Sequence, residues 1–120
     1  MKTVINKNIF RLYDIRGKAH EELTPDAVSI IGKAYGTYMR SMGYSTVTVG
    51  RDNRASSDEF FNVLSEGITS TGCNVINLDT VPTPLLYFSL FHLKPDGGIM
   101  ITGSHNPPEY NGLKICVGKD

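Results

Sequence analysis

The sequence is poor in cysteine, with two among 120 residues. Neither Cys73 nor Cys116 belongs to a Cys or Cys/His pattern with metal-ligand spacing, so a cysteine-held metal centre is not expected and both read as small buried side chains. It lacks a charge surplus as well: 12 Lys and Arg balance 12 Asp and Glu, and no Lys or Arg occurs between Arg54 and Lys94. That argues against a nucleic-acid partner and against a membrane-binding patch. No apolar run approaches the length of a bilayer span, and the opening "MKTVINKNIF" has no long apolar region of the secretory kind. A cytoplasmic location is the expectation. Repeats, low-complexity tracts and internal linkers are missing too, and the length suits one domain with one modest core.

What is present is a regular alternation of strand and helix signals. Thr24-Pro25-Asp26 reads as a helix start, with Thr as N-cap and Pro at the first helical position. Val28, Ile31, Tyr35, Tyr38 and Met42 follow at spacings of three and four, and Gly43 stands where a left-handed cap belongs. "STVTVG" (45–50) reads as a buried strand. Ser56 and Glu59 fit a capping box ahead of a stripe of Phe60, Phe61, Leu64 and Ile68 that Gly72 ends. "NVINL" (74–78) is a second strand. Thr83-Pro84 repeats the cap-and-proline start of a short, almost wholly apolar helix, 85–93, which needs cover on most sides. "GGIMIT" (97–102) is a third strand.

This order predicts parallel strands joined by right-handed crossovers, with helices on both faces. "LKICV" (113–117) follows after only a loop and should return antiparallel. The expected fold is α/β, a three-layer α/β/α unit with a mixed, mainly parallel sheet whose last strand is antiparallel. Its parallel strands bring three loops to one edge: Arg51 to Arg54, Asp79 to Pro82, and the segment around Ser104. Arginines, a serine, a histidine and a lysine converging at strand ends point to an anion, phosphate above all. Arg51 and Asp52 also read as residues that brace neighbouring loops.

The third loop carries the chemistry. Ser104 and His105 are adjacent, and neighbours on a chain rarely point at each other, so His105 is a poor base for a serine nucleophile. The G-x-S-x-G elbow of hydrolases is absent as well, since 102–106 reads T-G-S-H-N. A different role for a serine is to carry phosphate, and there the whole segment decides. The full segment "TGSHNPPEYNGLK" (102–114) resembles the phosphoserine loop of the α-D-phosphohexomutase family, the phosphomannomutases and phosphoglucomutases, whose signature is T-A-S-H-N-P followed by N-G-x-K. Thr102, Ser104, His105, Asn106, Pro107, Asn111, Gly112 and Lys114 match in order. "FRLYDIRG" (10–17) and "VGRDNR" (49–54) are similar to the family's N-terminal segment and its G-R-D-x-R loop. Gly103 departs from the usual alanine, and greater backbone freedom beside the serine is expected there.

The resemblance implies a phosphoglucomutase domain I type of fold over residues 1–120, a slightly truncated piece of a four-domain enzyme. Ser104 would give its phosphoryl group to a hexose phosphate and take back the sugar's other phosphate, interconverting 1- and 6-phosphates through glucose or mannose 1,6-bisphosphate. His105, Lys114 and Arg16 would lie by the transferred group. Tyr13, Arg16, Asn106 and Lys114 would position substrate. Asn106, Pro107 and Gly112 would act by shape. Mg²⁺ is implied, with Ser104 contributing one oxygen through its phosphate; the family's D-G-D-x-D-R loop, which supplies the other ligands, is not in this sequence. The isolated chain is therefore expected to need downstream domains of its parent for turnover. The alternative is a sugar-phosphate-binding module of the same fold without catalysis.

Overall fold

The computed structural model describes residues 5–10 and 14–118, and in them the sheet forms as the alternation predicts, with one strand more. The elements are a 3₁₀ turn (Lys7–Ile9), β1 (Ile15–Lys18), α1 (Pro25–Ser41), β2 (Thr46–Arg51), α2 (Ser57–Thr69), β3 (Asn74–Thr80), α3 (Thr83–His92), β4 (Gly97–Ile101) and β5 (Tyr110–Val117). Strand order is β1-β5-β4-β2-β3. β2 runs parallel to both β3 and β4, while β5 lies antiparallel to β4 and to β1.

β1 is the strand that periodicity does not announce. Its four residues, I-R-G-K, hold one large apolar side chain and a glycine, so it is a strand because β5 supplies a ladder, with Arg16 opposite Gly112.

Helices cover both faces. α1 and α2 pack on one, burying Val28, Ile31, Phe60, Leu64 and Ile68 against Val47, Val49, Ile99, Ile101 and Leu113. The two helices cross closely because Gly32 and Gly67 leave no Cβ in the way: one added at Gly67 would run into the Ser29 carbonyl. α3 sits alone on the opposite face over Met100 and Cys116, with the Ser89 hydroxyl 3.1 Å from that of Thr48 in the buried seam.

The helix signals hold at α1, where the Thr24 hydroxyl accepts from the Ala27 N–H at 3.1 Å and Gly43 takes φ +81°. Two others are corrected. Ser56 precedes α2 but is itself helical in φ and ψ and makes no side-chain cap; its hydroxyl accepts instead from the Asn111 amide at 2.8 Å. At α3 the cap position is Pro82, and Thr83 is the first helical residue. Nor is α3 covered on most sides. Having a face of the sheet to itself, it turns only Leu86, Ser89 and Leu90 inward, and leaves Leu85, Tyr87, Phe88, Phe91 and Leu93 exposed, Phe91 by 65%. Among the described residues no helix is long and apolar enough to cross a membrane.

Candidate active site

The C-terminal ends of β2, β3 and β4 lie side by side, so the loops that leave them meet along one edge of the sheet, where open α/β sheets hold their ligands. Backbone bonds stitch the loops together: Asp52 N–H donates to the Ile101 carbonyl (2.9 Å), Val81 N–H to Arg51 (2.9 Å) and Thr102 N–H to Gly112 (2.9 Å). A cleft of about 750 Å³ opens there, lined by Asp52 to Ala55, Val81 to Thr83, the Ser104 loop and Lys114. A second, of about 490 Å³, is lined by Asp14, Arg16, Tyr87, Ser104, His105, Asn106, Lys114 and Ile115. Ser104 is exposed and lines both.

The backbone at Ser104 is unusual. Its φ is +53°, the left-handed region that a non-glycine residue enters at a cost of roughly 1–2 kcal/mol. The surrounding bonds hold it there: Ser104 N–H donates to the Thr102 hydroxyl (3.0 Å), and both the N–H and the side-chain amide of Asn106 donate to the Gly103 carbonyl (3.0 and 2.9 Å). Asn106 thus bonds its own turn, the shape role expected of it. Among the described residues no hydrogen bond joins the Ser104 hydroxyl to His105, so the pair is not a nucleophile and its base.

The cations sort into two groups. Arg51 and Arg54 are not the free anion ligands that their place in the loop suggests. Arg51 is bound by Asp58 (2.7 Å), Asn77 (3.2 Å) and Asp79 (2.9 Å) and lies over the Phe61 ring, as a loop brace. Arg54 is turned into the Ser104 loop and pairs with Asp52 at 3.0 Å. Lys114 lines both clefts and Arg16 the second, and neither is turned into the loop as Arg54 is. Lys114 has no ion-pair partner among the described residues, and Arg16 keeps Asp14 at 3.1 Å from its Nε. Arg16, Ser104, His105, Asn106 and Lys114 therefore come together around one cleft; Tyr13 lies outside the described residues.

Asp52 is the residue whose importance sequence reading understates. Burial alone would raise its pKa, but hydrogen bonds from Ser57, from the N–H groups of Arg54 and Gly103 and from Thr102 outweigh this and hold it below the usual aspartate value. The signal was available in the spacing: an aspartate two residues before Arg54 accepts that residue's N–H, an Asx turn, at 3.1 Å. Among the described residues no three His, Cys, Asp or Glu side chains are grouped to hold a metal ion. Asp52 is taken up by the hydrogen bonds it accepts, and Asp14 is paired with Arg16.

Residues 7–120 match the family model described as phosphoglucomutase/phosphomannomutase, alpha/beta/alpha domain I. The phosphoglucomutase of Neisseria meningitidis serogroup B is 43% identical over 116 residues, covering 97% of this chain and 25% of the relative. The phosphomannomutase/phosphoglucomutase of Pseudomonas aeruginosa is 46% identical over 110 residues, 92% of this chain and 24% of the relative. The crystal structure of a phosphoglucomutase/phosphomannomutase family protein from Burkholderia thailandensis superposes with a TM-score of 0.91 at 38% identity, over 97% of this chain and 27% of that one. The chain thus spans about a quarter of the length of these relatives. It belongs to the phosphoglucomutase/phosphomannomutase family, and its fold is that of the family's α/β/α domain I.

Proposed function

We propose that this chain supplies the phosphoryl-carrying serine of a hexose-phosphate mutase. The observation that carries the reading is the placement of Ser104: an exposed serine with its backbone in the left-handed region, lining two clefts that Lys114 shares and one that Arg16 also lines.

In each half of the reaction one phosphoryl group moves. The phosphoserine's P–Oγ bond breaks as a sugar hydroxyl oxygen bonds to phosphorus, and the proton of that hydroxyl ends on Ser104; the bisphosphorylated sugar then turns and returns its other phosphate by the reverse steps. Phosphoryl transfer depends chiefly on positioning and on stabilising the oxygens' charge. A phosphoserine brings about −1.5 to −2. Lys114 offers a full positive charge and is the group placed to neutralise it or handle the proton, while Arg16, partly offset by Asp14, orients the phosphate or the sugar. His105 and Asn106 border the same space, and Tyr13 is assigned to the substrate with them.

One unopposed lysine leaves much of the phosphate's charge unmatched, which is the chemical reason to expect Mg²⁺. When bound it supplies further charge neutralisation, with Ser104's phosphate as one oxygen ligand. The remaining ligands and the residues that recognise the sugar are assigned to the part of the relatives' length that this chain does not span.

The test is a chimaera in which residues 7–120 replace the matching segment of the P. aeruginosa relative. With glucose 1,6-bisphosphate and Mg²⁺, peptide mapping should find one phosphate, on Ser104, and glucose 1-phosphate should be converted to the 6-phosphate; Ser104→Ala should lose both. A folded chimaera that binds hexose phosphate but never takes phosphate on Ser104 would favour the non-catalytic binding module.

A further inference from the structure

We infer that Arg54 is the positioning residue of the Ser104 loop, and that Gly103 is what lets it in. The inference rests on the phosphoryl-carrier reading for its meaning but not for its geometry.

A guanidinium has five N–H donors in a fixed fork, and Arg54 uses all five. Nε donates to Asp52 Oδ2 (3.0 Å); Nη1 donates to the carbonyls of Pro107 (2.7 Å) and Tyr110 (3.2 Å); Nη2 donates to those of Ser104 and Asn106 (2.9 Å each). Its side chain is only 13% exposed. One side chain from the loop after β2 thus gathers three carbonyls of the loop after β4 and that of the first residue of β5.

The consequence falls on Ser104. The peptide unit before it is fixed by the Thr102 hydroxyl, and the one before that by Asp52, which accepts the Gly103 N–H at 3.1 Å. Among the described residues the unit after Ser104 is fixed by Arg54 alone, through the Ser104 carbonyl. A residue at positive φ persists only where its surroundings over-determine it. Asp52 and Arg54 together provide that, so the hydroxyl's direction is set by a residue that need not touch the substrate.

Gly103 completes the device. It is not among the glycines at positive φ, so greater backbone freedom is not its use. A Cβ there would collide with the Cζ and Nε of Arg54. A side chain here would make this guanidinium shift, and the glycine allows it to seat against the loop.

Two variants separate geometry from charge. Arg54→Lys keeps the charge but cannot span four carbonyls; Gly103→Ala keeps the arginine and blocks its seat. Hydrogen exchange on the chain should show the Ser104 and Asn106 amides losing protection by about tenfold or more in both, the effect of a lost hydrogen bond, while Val49 and Ile99 amides in the core strands stay protected. In the chimaera, transfer to Ser104 at saturating bisphosphate should fall about tenfold or more with KM within about twofold of the parent. If Arg54→Lys also exposes the core amides, Gly103→Ala decides. Unchanged loop protection in a folded variant, or a raised KM at unchanged rate, overturns the inference. Loss of loop protection in a chimaera whose parent never accepts phosphate would sink the carrier reading and leave the positioning intact.

Discussion

Arg16 on β1 stands directly opposite Gly112 on β5, which puts its side chain on the same face of the sheet as Lys114, two residues further along β5. A Cβ at Gly112 would run into the Ile15 carbonyl and come within 3.0 Å of the Arg16 Cβ, so the glycine lets β1 close on β5 and fixes where the arginine starts. The two cations are thereby neighbours on adjacent strands, both at the cleft beside Ser104.

From that pairing follows a first prediction. Lys114→Met and Arg16→Gln, both at partly exposed positions, should leave urea unfolding nearly unchanged. Each should slow phosphate incorporation on Ser104 in the chimaera by roughly 10²-fold, the usual size of losing one group that stabilises developing charge. Transfer at the parent rate in either variant would remove that residue from the site.

The backbone at Ser104 yields a second. Threonine keeps the hydroxyl but is β-branched, a poor occupant of φ +53°. Ser104→Thr should cost roughly 1 kcal/mol in urea unfolding and lower phosphate incorporation by more than the change of nucleophile alone. Ser104→Gly cannot accept phosphate, yet relieves the strained backbone and should unfold within about 0.5 kcal/mol of the parent or be more stable. A threonine variant as stable as the parent would show that the loop carries no strain at this residue.

What the sequence made legible was whatever acts over short range. The helices at 25–41 and 57–69, the three parallel strands and the antiparallel return are written in periodicity, prolines and glycines, and the serine loop in a contiguous motif. Features set by distant partners were not legible. β1 exists because β5 is beside it. Ser56 looks like a cap, but Asn111, 55 residues away, takes its hydroxyl. Arg51 and Arg54 are three residues apart at the end of β2, yet one turns to Asp58, Asn77 and Asp79 and the other to four carbonyls between Ser104 and Tyr110, a division that no spacing encodes. α3 has so little polar residue that its composition marks no inward side; only the packing on Met100 and Cys116 chooses Leu86 and Leu90.

A third prediction concerns alkaline pH. The Tyr35 phenol donates to the Cys116 carbonyl at 2.8 Å, and burial first, then the neighbouring Cys116, Cys73 and Asp96, pushes its pKa far above the ordinary tyrosine value. The folded state therefore favours the protonated phenol. Its contribution is complete below about pH 10 and is lost as pH rises from there through the folded value. Tyr35→Phe should cost about 1 kcal/mol at pH 7 and should lose less stability than the parent above pH 10. The Cys116 thiol, also raised by burial, titrates in both proteins, so the difference between their alkaline limbs isolates the phenol. Parallel limbs would mean that Tyr35 ionises without cost to the fold.

Acid pH reports on Asp52 with the opposite sign. Hydrogen bonds to its carboxylate lower the pKa in the folded chain in spite of burial, so its contribution is present above about pH 4, where the unfolded chain is also ionised, and is lost as pH falls through the lower folded value. Ser57 Oγ and the Arg54 N–H share Oδ1, and the Gly103 N–H and Arg54 Nε share Oδ2. An asparagine amide nitrogen accepts nothing, so Asp52→Asn must abandon the donors on one side. Its expected cost is about 2 kcal/mol at pH 7, since bonds to a charged group are the stronger kind. The gap to the parent should narrow below pH 4 as the parent's carboxylate takes up its proton. If the gap instead stays constant down to pH 2, the carboxylate's charge is not what ties the loop after β2 to the loop that carries Ser104, and the shape of the side chain alone would have to account for the cost.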